Sequence, residues 1–127
     1  MLKTRKRFGQ HFLHDPGILR RIVEAIAPAA GETIVEIGPG EGALTGPLIE
    51  RAGRLTAIEI DRDLAKGLGE AFGSRELSVL RADALELDYA CFPHGFRLVG
   101  NLPYNISTPL LFRLARVARH ARDMHFM

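Results

Sequence analysis

Short apolar segments alternate with amphipathic helical segments along most of the chain. The apolar segments are rich in β-branched and aliphatic residues and lie at 33–37, 55–60, 77–80 and 96–100, with the start of a fifth at 123–127. Between them, apolar residues recur at helical spacing. Because strands joined through helices run parallel, this alternation predicts an α/β fold with a doubly wound parallel sheet.

Residues that favour helix termini mark several of the helical segments. Asp15 and Asp61 are typical of N-caps. For the last helix, Ser107 or Thr108 is the predicted N-cap and Pro109 the predicted first residue. Its predicted apolar face consists of Leu110, Leu111, Leu114 and Val117.

Composition restricts the class of protein further. The chain has 127 residues, of which 46% are hydrophobic and 25% charged, so a single globular domain is expected and a disordered chain is not. Cys91 is the single cysteine, which excludes an intramolecular disulfide and favours a reducing compartment such as the cytoplasm. No apolar run approaches the roughly 20 residues that span a membrane, so no membrane partner is expected.

Charge is distributed unevenly although the net charge is only +2. Residues 1–21 carry six basic side chains and one acidic side chain, and residues 113–127 carry four basic and one acidic. Residues 22–112 carry seven basic and 13 acidic side chains. Two basic ends therefore flank an acidic middle. This pattern indicates either a phosphate-binding surface or a solvated basic tail with a charged helix face. Arg113, Arg116 and Arg119 recur every third residue and are expected to cluster on one side of a helix.

Three glycines, Gly38, Gly40 and Gly42, follow the first predicted strand and precede a helix. Glycine lets a backbone turn sharply and approach a ligand closely, and the following helix N-terminus offers unpaired N–H groups. With Ala43 in the third position the loop also satisfies the dinucleotide-binding pattern. The loop therefore indicates a nicotinamide cofactor or S-adenosyl-L-methionine, or a tight turn without a ligand.

Two acidic residues lie at the ends of the next two strands. Glu59 lies 21 residues after Gly38, where a carboxylate can accept hydrogen bonds from ribose hydroxyls. Asp83 ends the third strand, where it could bind the amine of an adenine ring or simply cap the next turn. Because ligands of open α/β sheets bind at the carboxyl edge, Gly38, Glu59 and Asp83 are predicted to line one site.

The tetrapeptide Asn101-Leu102-Pro103-Tyr104 distinguishes the two cofactors, since a dehydrogenase has no evident use for it. The Asn101 amide oxygen and the Leu102 carbonyl could both accept hydrogen bonds from an adenine N6 amine. These hydrogen bonds would direct the lone pair of the amine at a methyl group. Pro103 stiffens the loop, and Tyr104 offers a flat face for an extruded base. No metal ion or general base is required for this chemistry, which depends on proximity.

These motifs together resemble the KsgA/RsmA family of ribosomal RNA adenine dimethyltransferases. The resemblance runs from about Lys6 to the end of the chain and is carried by four segments: 6–13 (KRFGQHFL), 36–40 (EIGPG), 58–61 (IEID) and 100–109 (GNLPYNISTP). It implies a Rossmann-like, S-adenosyl-L-methionine-dependent methyltransferase sheet. It also implies dimethylation of two adjacent adenines near the 3′ end of small-subunit ribosomal RNA, within a precursor of the small ribosomal subunit.

The resemblance also implies roles for individual residues. Cofactor-binding residues would be His11, Leu13, Gly38, Gly40, Glu59, Asp83 and Asn101, although many relatives have Asn at the position of His11. Residues 101–104 would hold the target base. The basic ends would contact RNA, through Lys3, Arg5, Lys6, Arg7, Arg113 and Arg116.

The family's catalytic domain is longer than this chain. We therefore expect residues 1–14 to be a basic segment that covers the cofactor pocket, and residues 15–127 to be the N-terminal part of the catalytic domain. An isolated part would bind cofactor with little activity, and its open sheet edge would favour self-association. The alternatives are a non-catalytic RNA- or ribosome-binding fragment and a nicotinamide-dependent oxidoreductase.

Overall fold

The computed structural model describes residues 15–102, 104–116 and 118–127, without the side chains of residues 104–107. Four α-helices are present in these ranges: α1 (Pro16–Ile26), α2 (Thr45–Ala52), α3 (Arg62–Ala71) and α4 (Tyr104–Ala115). The strands are β1 (Ile34–Ile37), β2 (Leu55–Ile58), β3 (Leu77–Leu80), β4 (Phe96–Gly100) and β5 (Ala121–Phe126), and a short 3-10 helix spans Tyr89–Cys91.

The described strands form one parallel sheet in the order β3-β2-β1-β4-β5. The chain runs outward from β1 to β3 and then crosses back to β4, so the direction of winding reverses between β1 and β4. Ligands of doubly wound sheets bind at such a reversal. The predicted fold class is confirmed.

Apolar side chains cover both faces of the sheet. On one face α1, α2 and α3 pack over residues such as Ile34, Leu55, Ala57 and Val99. On the other face the 3-10 helix and α4 pack over Val35, Ile37, Ile58 and Leu98. Alternating strand residues therefore enter opposite cores, as expected for strands buried on both sides.

Both predicted aspartate N-caps are confirmed. Asp15 Oδ1 accepts hydrogen bonds from the N–H groups of Gly17 (2.8 Å) and Ile18 (3.3 Å). Asp61 Oδ1 accepts from those of Asp63 (2.9 Å) and Leu64 (3.0 Å). Each carboxylate satisfies donors that a helix leaves unpaired at its first turn.

The predicted start of the last helix is wrong. Helix α4 begins at Tyr104, so Ser107, Thr108 and Pro109 all lie inside it. Pro109 is the sixth residue of this helix, where proline cannot donate a backbone hydrogen bond and its ring crowds the carbonyl group four residues earlier. Leu110 and Leu114 are buried as predicted, but Leu111 is 53% exposed, and Val117 lies outside the described residues.

Helix α4 ends at Ala115, so Arg116 and Arg119 follow the helix rather than extending the face that Arg113 occupies. The predicted clustering of these three arginines on one side of a helix is therefore wrong. Strand β5 is longer than predicted, since it begins at Ala121 rather than Asp123. It pairs with β4 along its length, with an irregularity between Phe96 and Arg97.

A buried arginine fixes the amino-terminal half of β4 to its neighbours. Arg97, only 4% exposed, donates to Asp123 on β5 (2.9 and 3.1 Å) and to Glu32 before β1 (2.8 Å). It also donates to the carbonyl groups of Ile26 and Ala27 at the end of α1. The guanidinium thus joins α1, the entrance of β1 and the edge strand β5.

No helix in the part of the chain that the structure describes is long and apolar enough to cross a membrane.

Candidate functional site

The last residues of four strands lie level with one another across the sheet: Ile37, Ile58, Leu80 and Gly100. The residues that follow them emerge together at the carboxyl edge. Gly38 N–H donates to the Ile58 carbonyl (3.1 Å), and a Cβ added at Gly38 would lie 3.8 Å from the Asn101 carbonyl oxygen. The backbone of Gly38 therefore lies beside Asn101, and Glu59 follows Ile58 at the same edge of the sheet.

The glycine-rich turn between β1 and α2 is open toward this edge. Gly38 and Gly40 have φ angles of +65° and +59°, which favour glycine. A Cβ at Gly40 would meet nothing within 4 Å, so space is available beside the backbone. Gly42 has a different role, since a Cβ there would lie 3.2 Å from Leu68 of α3 and from Phe72, which follows that helix. That glycine allows close helix packing.

Glu59 is a buried carboxylate held by backbone donors. It is 7% exposed, and its Oε1 accepts from Gly40 N–H (3.3 Å) while Oε2 accepts from Asp61 N–H (3.0 Å). A carboxylate offers about four acceptor positions, so further hydrogen bonds can be accepted. The two backbone contacts fix the carboxylate beside the glycine-rich turn, where it can bind a diol.

A second buried carboxyl group, Glu36 on β1, was not predicted as a site residue. Glu36 is 2% exposed and accepts a hydrogen bond from the Thr45 hydroxyl at the start of α2 (2.6 Å). Burial, together with the charge of Glu59, raises the pKa of Glu36 to about 7. The contact ties the two ends of the glycine-rich turn together. A charged residue within an otherwise apolar buried strand is the sequence signal that points to it.

Asp83 lies beyond the end of β3 rather than within it, and its side chain closes a turn. Its Oδ1 accepts from Leu85 N–H (2.8 Å). This contact caps the turn, which is one of the two roles that the sequence predicts for Asp83. Oδ2 has no hydrogen-bond partner among the described residues. The capping contact and an additional ligand contact are therefore compatible.

Strand β5 anchors the segment that carries Asn101. Met127 N–H donates to the Gly100 carbonyl (3.0 Å), and Leu102 N–H donates to the Met127 carbonyl (3.3 Å). A Cβ at Gly100 would lie 2.9 Å from the Ile37 carbonyl oxygen, so glycine is required for the close approach of β4 and β1. The roles of Gly100 and Met127 were not predicted. Pro103 and the side chain of Tyr104 lie outside the described residues.

The predicted RNA-binding residues are described only in part. Lys3, Arg5, Lys6 and Arg7, with the predicted cofactor contacts His11 and Leu13, lie outside the described residues. Arg116 is exposed. Arg113 is half-buried, and its Nη2 donates to the carbonyls of Glu86 and Leu87, both at 3.1 Å. Its guanidinium therefore contacts the protein itself.

A shallow cleft of about 220 Å³ lies at the opposite, amino-terminal edge of the sheet, remote from the predicted site. Its polar lining includes Glu32, Arg54, Arg75 and Glu76. Within the described ranges, His, Cys, Asp and Glu residues form no group of three or more that could hold a metal ion.

Comparison with known families identifies the relatives of this chain. The profile of the family described as ribosomal RNA adenine dimethylase matches residues 1–127. The chain belongs to this family. Its members are S-adenosyl-L-methionine-dependent adenine dimethyltransferases.

Curated members of the dimethylase family are closely similar in sequence. Ribosomal RNA small subunit methyltransferase A of Aromatoleum aromaticum is 57% identical over 125 residues, which cover 98% of this chain and 47% of that protein. The protein of the same name from Thiobacillus denitrificans is 57% identical over 127 residues, or 100% of this chain and 50% of that protein. The chain thus spans about half the length of these relatives.

Solved structures of dimethylases and other methyltransferases share the fold. The 23S rRNA methyltransferase ErmE superposes with a TM-score of 0.69 at 36% identity, covering 77% of this chain and 40% of that one. A dimethyladenosine transferase from Plasmodium falciparum superposes with a TM-score of 0.66 at 33% identity, covering 80% of this chain and 37% of that one. A Haemonchus contortus phosphoethanolamine N-methyltransferase, solved with S-adenosylhomocysteine, superposes with a TM-score of 0.69 over 98% of this chain and 31% of that one. Its sequence identity is 18%, so this similarity shows the fold alone.

Proposed function

We propose that the chain binds S-adenosyl-L-methionine at the carboxyl edge of the sheet and carries the methyl-transfer site of a small-subunit ribosomal RNA adenine dimethyltransferase. The observation that carries the proposal is the placement of Glu59. Its carboxylate is fixed by Gly40 and Asp61 N–H groups, beside the open turn and level with Asn101. Family membership supplies the reaction class.

The described residues fit the cofactor. Glu59 retains acceptor positions for two ribose hydroxyls, and Gly40 leaves room for a ligand beside the backbone. Asp83 Oδ2 can accept from an adenine amine. Bound there, the cofactor supplies an electrophilic methyl group on sulfur. His11 and Leu13 are proposed to complete the cofactor site, since they lie in the segment that resembles the family's sequence.

Residues 101–104 are proposed to orient the target adenine. The Asn101 amide oxygen and the Leu102 carbonyl accept from the N6 amine, which holds its lone pair out of the ring plane. Tyr104 stacks on the base, and Pro103 limits movement of the segment. The contribution of these residues is positioning, which is worth several kcal/mol when reacting groups are aligned.

Small-subunit ribosomal RNA is the proposed substrate, in a precursor of the small subunit. The support is the 57% identity with small-subunit methyltransferases, against 36% with the 23S enzyme ErmE. The proposed RNA contacts are Lys3, Arg5, Lys6, Arg7 and Arg116, whose charges would bind phosphates. Cytoplasmic location and self-association through the outer edge of β5 stay predictions.

Calorimetric titration of the 127-residue chain with S-adenosylhomocysteine and, separately, with NAD tests the cofactor. We expect binding of the first ligand and none of the second. Binding of NAD alone, or of neither ligand by a folded chain, would contradict the proposal. Transfer of labelled methyl groups to small-subunit particles lacking the modification tests the reaction, with fully dimethylated particles as the control.

A further inference from the structure

The loop that carries Asp83 is held in place by two side chains from outside it. Residues 81–88 connect β3 to the 3-10 helix. Arg113 on α4 donates from Nη2 to the carbonyls of Glu86 and Leu87, both at 3.1 Å. The Tyr89 hydroxyl donates to the Ala84 carbonyl at 2.7 Å. These contacts fix the carbonyl groups of residues 84, 86 and 87.

Within the loop, Asp83 is bonded directly to the residues that Arg113 holds. The Asp83 carbonyl accepts from the N–H groups of Glu86 (2.9 Å) and Leu87 (3.0 Å), and its Oδ1 accepts from Leu85 N–H (2.8 Å). A movement of residues 86–87 would therefore move the Asp83 carboxylate. Arg113 reaches the candidate adenine-binding group through one intervening turn.

The two anchors are well suited to a permanent role. Tyr89 is 1% exposed, and burial raises the pKa of its hydroxyl, so it remains a hydrogen-bond donor at neutral pH. The Nε of Arg113 is buried without a hydrogen-bond partner among the described residues. A guanidinium turned inward in this way loses hydration, and the two carbonyl contacts of Nη2 offset part of that cost. An arginine that served only as a surface cation would have no need of that arrangement.

Helix α4 itself begins at Tyr104, the last residue of the segment proposed to hold the target base. Leu110 and Leu114 of this helix share a buried cluster with Tyr89. The helix therefore contacts the Asp83 loop through both polar and apolar groups, and its N-terminal end lies at the Asn101 segment.

We propose that Arg113 is a positioning residue. It holds the Asp83 loop so that the Asp83 carboxylate selects the amino group of the cofactor's adenine. It also joins this adenine-binding end of the site to α4, the helix that follows Asn101. Tyr89 supports the same loop. The proposal rests on the proposed function, because it requires cofactor binding at the carboxyl edge.

The test compares S-adenosylhomocysteine with S-inosylhomocysteine, in which a carbonyl oxygen replaces the adenine amine. The wild-type chain is expected to prefer the first ligand, because Asp83 accepts a hydrogen bond from the amine and is repelled by the carbonyl oxygen. Arg113→Met is expected to weaken binding of the adenosyl ligand about tenfold and to reduce the preference, since lost hydrogen bonds from a charged group have this size.

Matched variants separate positioning from loss of charge and loss of fold. Arg119→Met removes the same charge from an exposed position and is expected to leave both affinities unchanged. Tyr89→Phe removes only the hydroxyl and is expected to reduce the preference in the same direction by a smaller factor. Circular dichroism melting identifies any variant that fails to fold. If Arg113→Met fails to fold, Tyr89→Phe still tests the proposal.

Several results would overturn the proposal. An equal loss for both ligands in Arg113→Met would mean a general structural role. If Arg113→Met leaves both ligand affinities unchanged but loses as much RNA affinity as Arg119→Met, Arg113 is an RNA contact only. Failure of the folded wild-type chain to bind either ligand would instead refute the proposed function, and the positioning role with it.

Discussion

Carboxylates at the two ends of the sheet have different partners. Near the amino-terminal ends of the strands, Glu32 and Asp123 bind the buried guanidinium of Arg97. At the carboxyl edge, Glu59 and Asp83 accept hydrogen bonds only from backbone N–H groups within the described residues. The first set is neutralised by the protein itself, whereas the second keeps acceptor capacity for a ligand.

The pKa values follow the same division. Burial opposes ionisation of Asp123, but the hydrogen bond and charge of Arg97 outweigh it and lower the pKa of that carboxyl. At the other end, burial and the charge of Glu59 raise the pKa of Glu36. Ion pairing therefore stabilises the ionised carboxylate at the amino-terminal end, whereas burial disfavours ionisation of Glu36 near the carboxyl edge. Substitutions at the two ends should have separable effects.

Substitution of the central arginine is expected to have the largest effect. Arg97→Met removes the buried donor that Glu32, Asp123 and two carbonyl groups share, and removal of one partner of a buried pair costs about 3–5 kcal/mol. Urea unfolding measures the change, and insoluble expression would also agree with it. A loss below about 1 kcal/mol would mean that the network contributes little and that the contrast between the two ends is overstated.

Removal of the Glu59 carboxylate should affect binding rather than folding. Glu59→Ala is expected to weaken S-adenosylhomocysteine binding by about 100-fold, because hydrogen bonds to a charged group are lost. The free energy of unfolding should fall by no more than about 1–2 kcal/mol, the cost of two backbone N–H groups that lose their acceptor. Calorimetry and urea unfolding measure the two quantities. Glu50→Ala, at an exposed position on α2, is the control and should alter neither.

Glu36 should give stability a dependence on pH of unusual sign. Its pKa is raised from 4.5 to about 7, so between these values the unfolded chain ionises while the folded chain keeps its proton. Stability from this group therefore falls as pH rises from 4.5 to about 7 and is level above it. Glu36→Gln should remove this slope, a change on the order of 3 kcal/mol by pH 8. Identical pH profiles for the variant and the wild type would argue against a protonated Glu36.

The smallest effect is expected for the exposed member of the arginine network. Arg122 donates to Glu32 at 2.6 Å, but its side chain is 61% exposed. Arg122→Met should cost less than about 1 kcal/mol in urea unfolding, because solvent screens such pairs. A loss comparable to that of Arg97→Met would show that burial does not distinguish the two arginines.

Local patterns in the sequence were sufficient for most of the fold. The bounds of β3 and β4, the N-caps Asp15 and Asp61, and the strand-turn-helix around Gly38 all depend on neighbouring residues. The start of α4 was mistaken because Ser107, Thr108 and Pro109 form a strong local N-cap signal, whereas burial of Leu110 and Leu114 is compatible with a helix that begins earlier.

Contacts between distant residues could not be read in the same way. Arg97 is separated from the α1 carbonyl of Ile26 by 71 residues and from Asp123 by 26. Arg113 reaches Glu86 across 27 residues, so its charge alone suggested a surface role. Glu36 and Arg97 share one usable signal, a charged residue inside an apolar strand that is buried on both faces. Such a residue requires a partner, although the sequence does not reveal which one.

The level ends of four strands have a consequence for how this sequence tolerates insertions and deletions. Gly38, Glu59 and Asn101 meet because Ile37, Ile58 and Gly100 occupy one line across the sheet. Loss of a single residue within β1, β2 or β4 would turn the following side chain to the opposite face. Length changes in the loops that enter these strands at the amino-terminal edge would leave the line intact. Variation in length should therefore accumulate at one edge of the sheet and be excluded from the strands themselves.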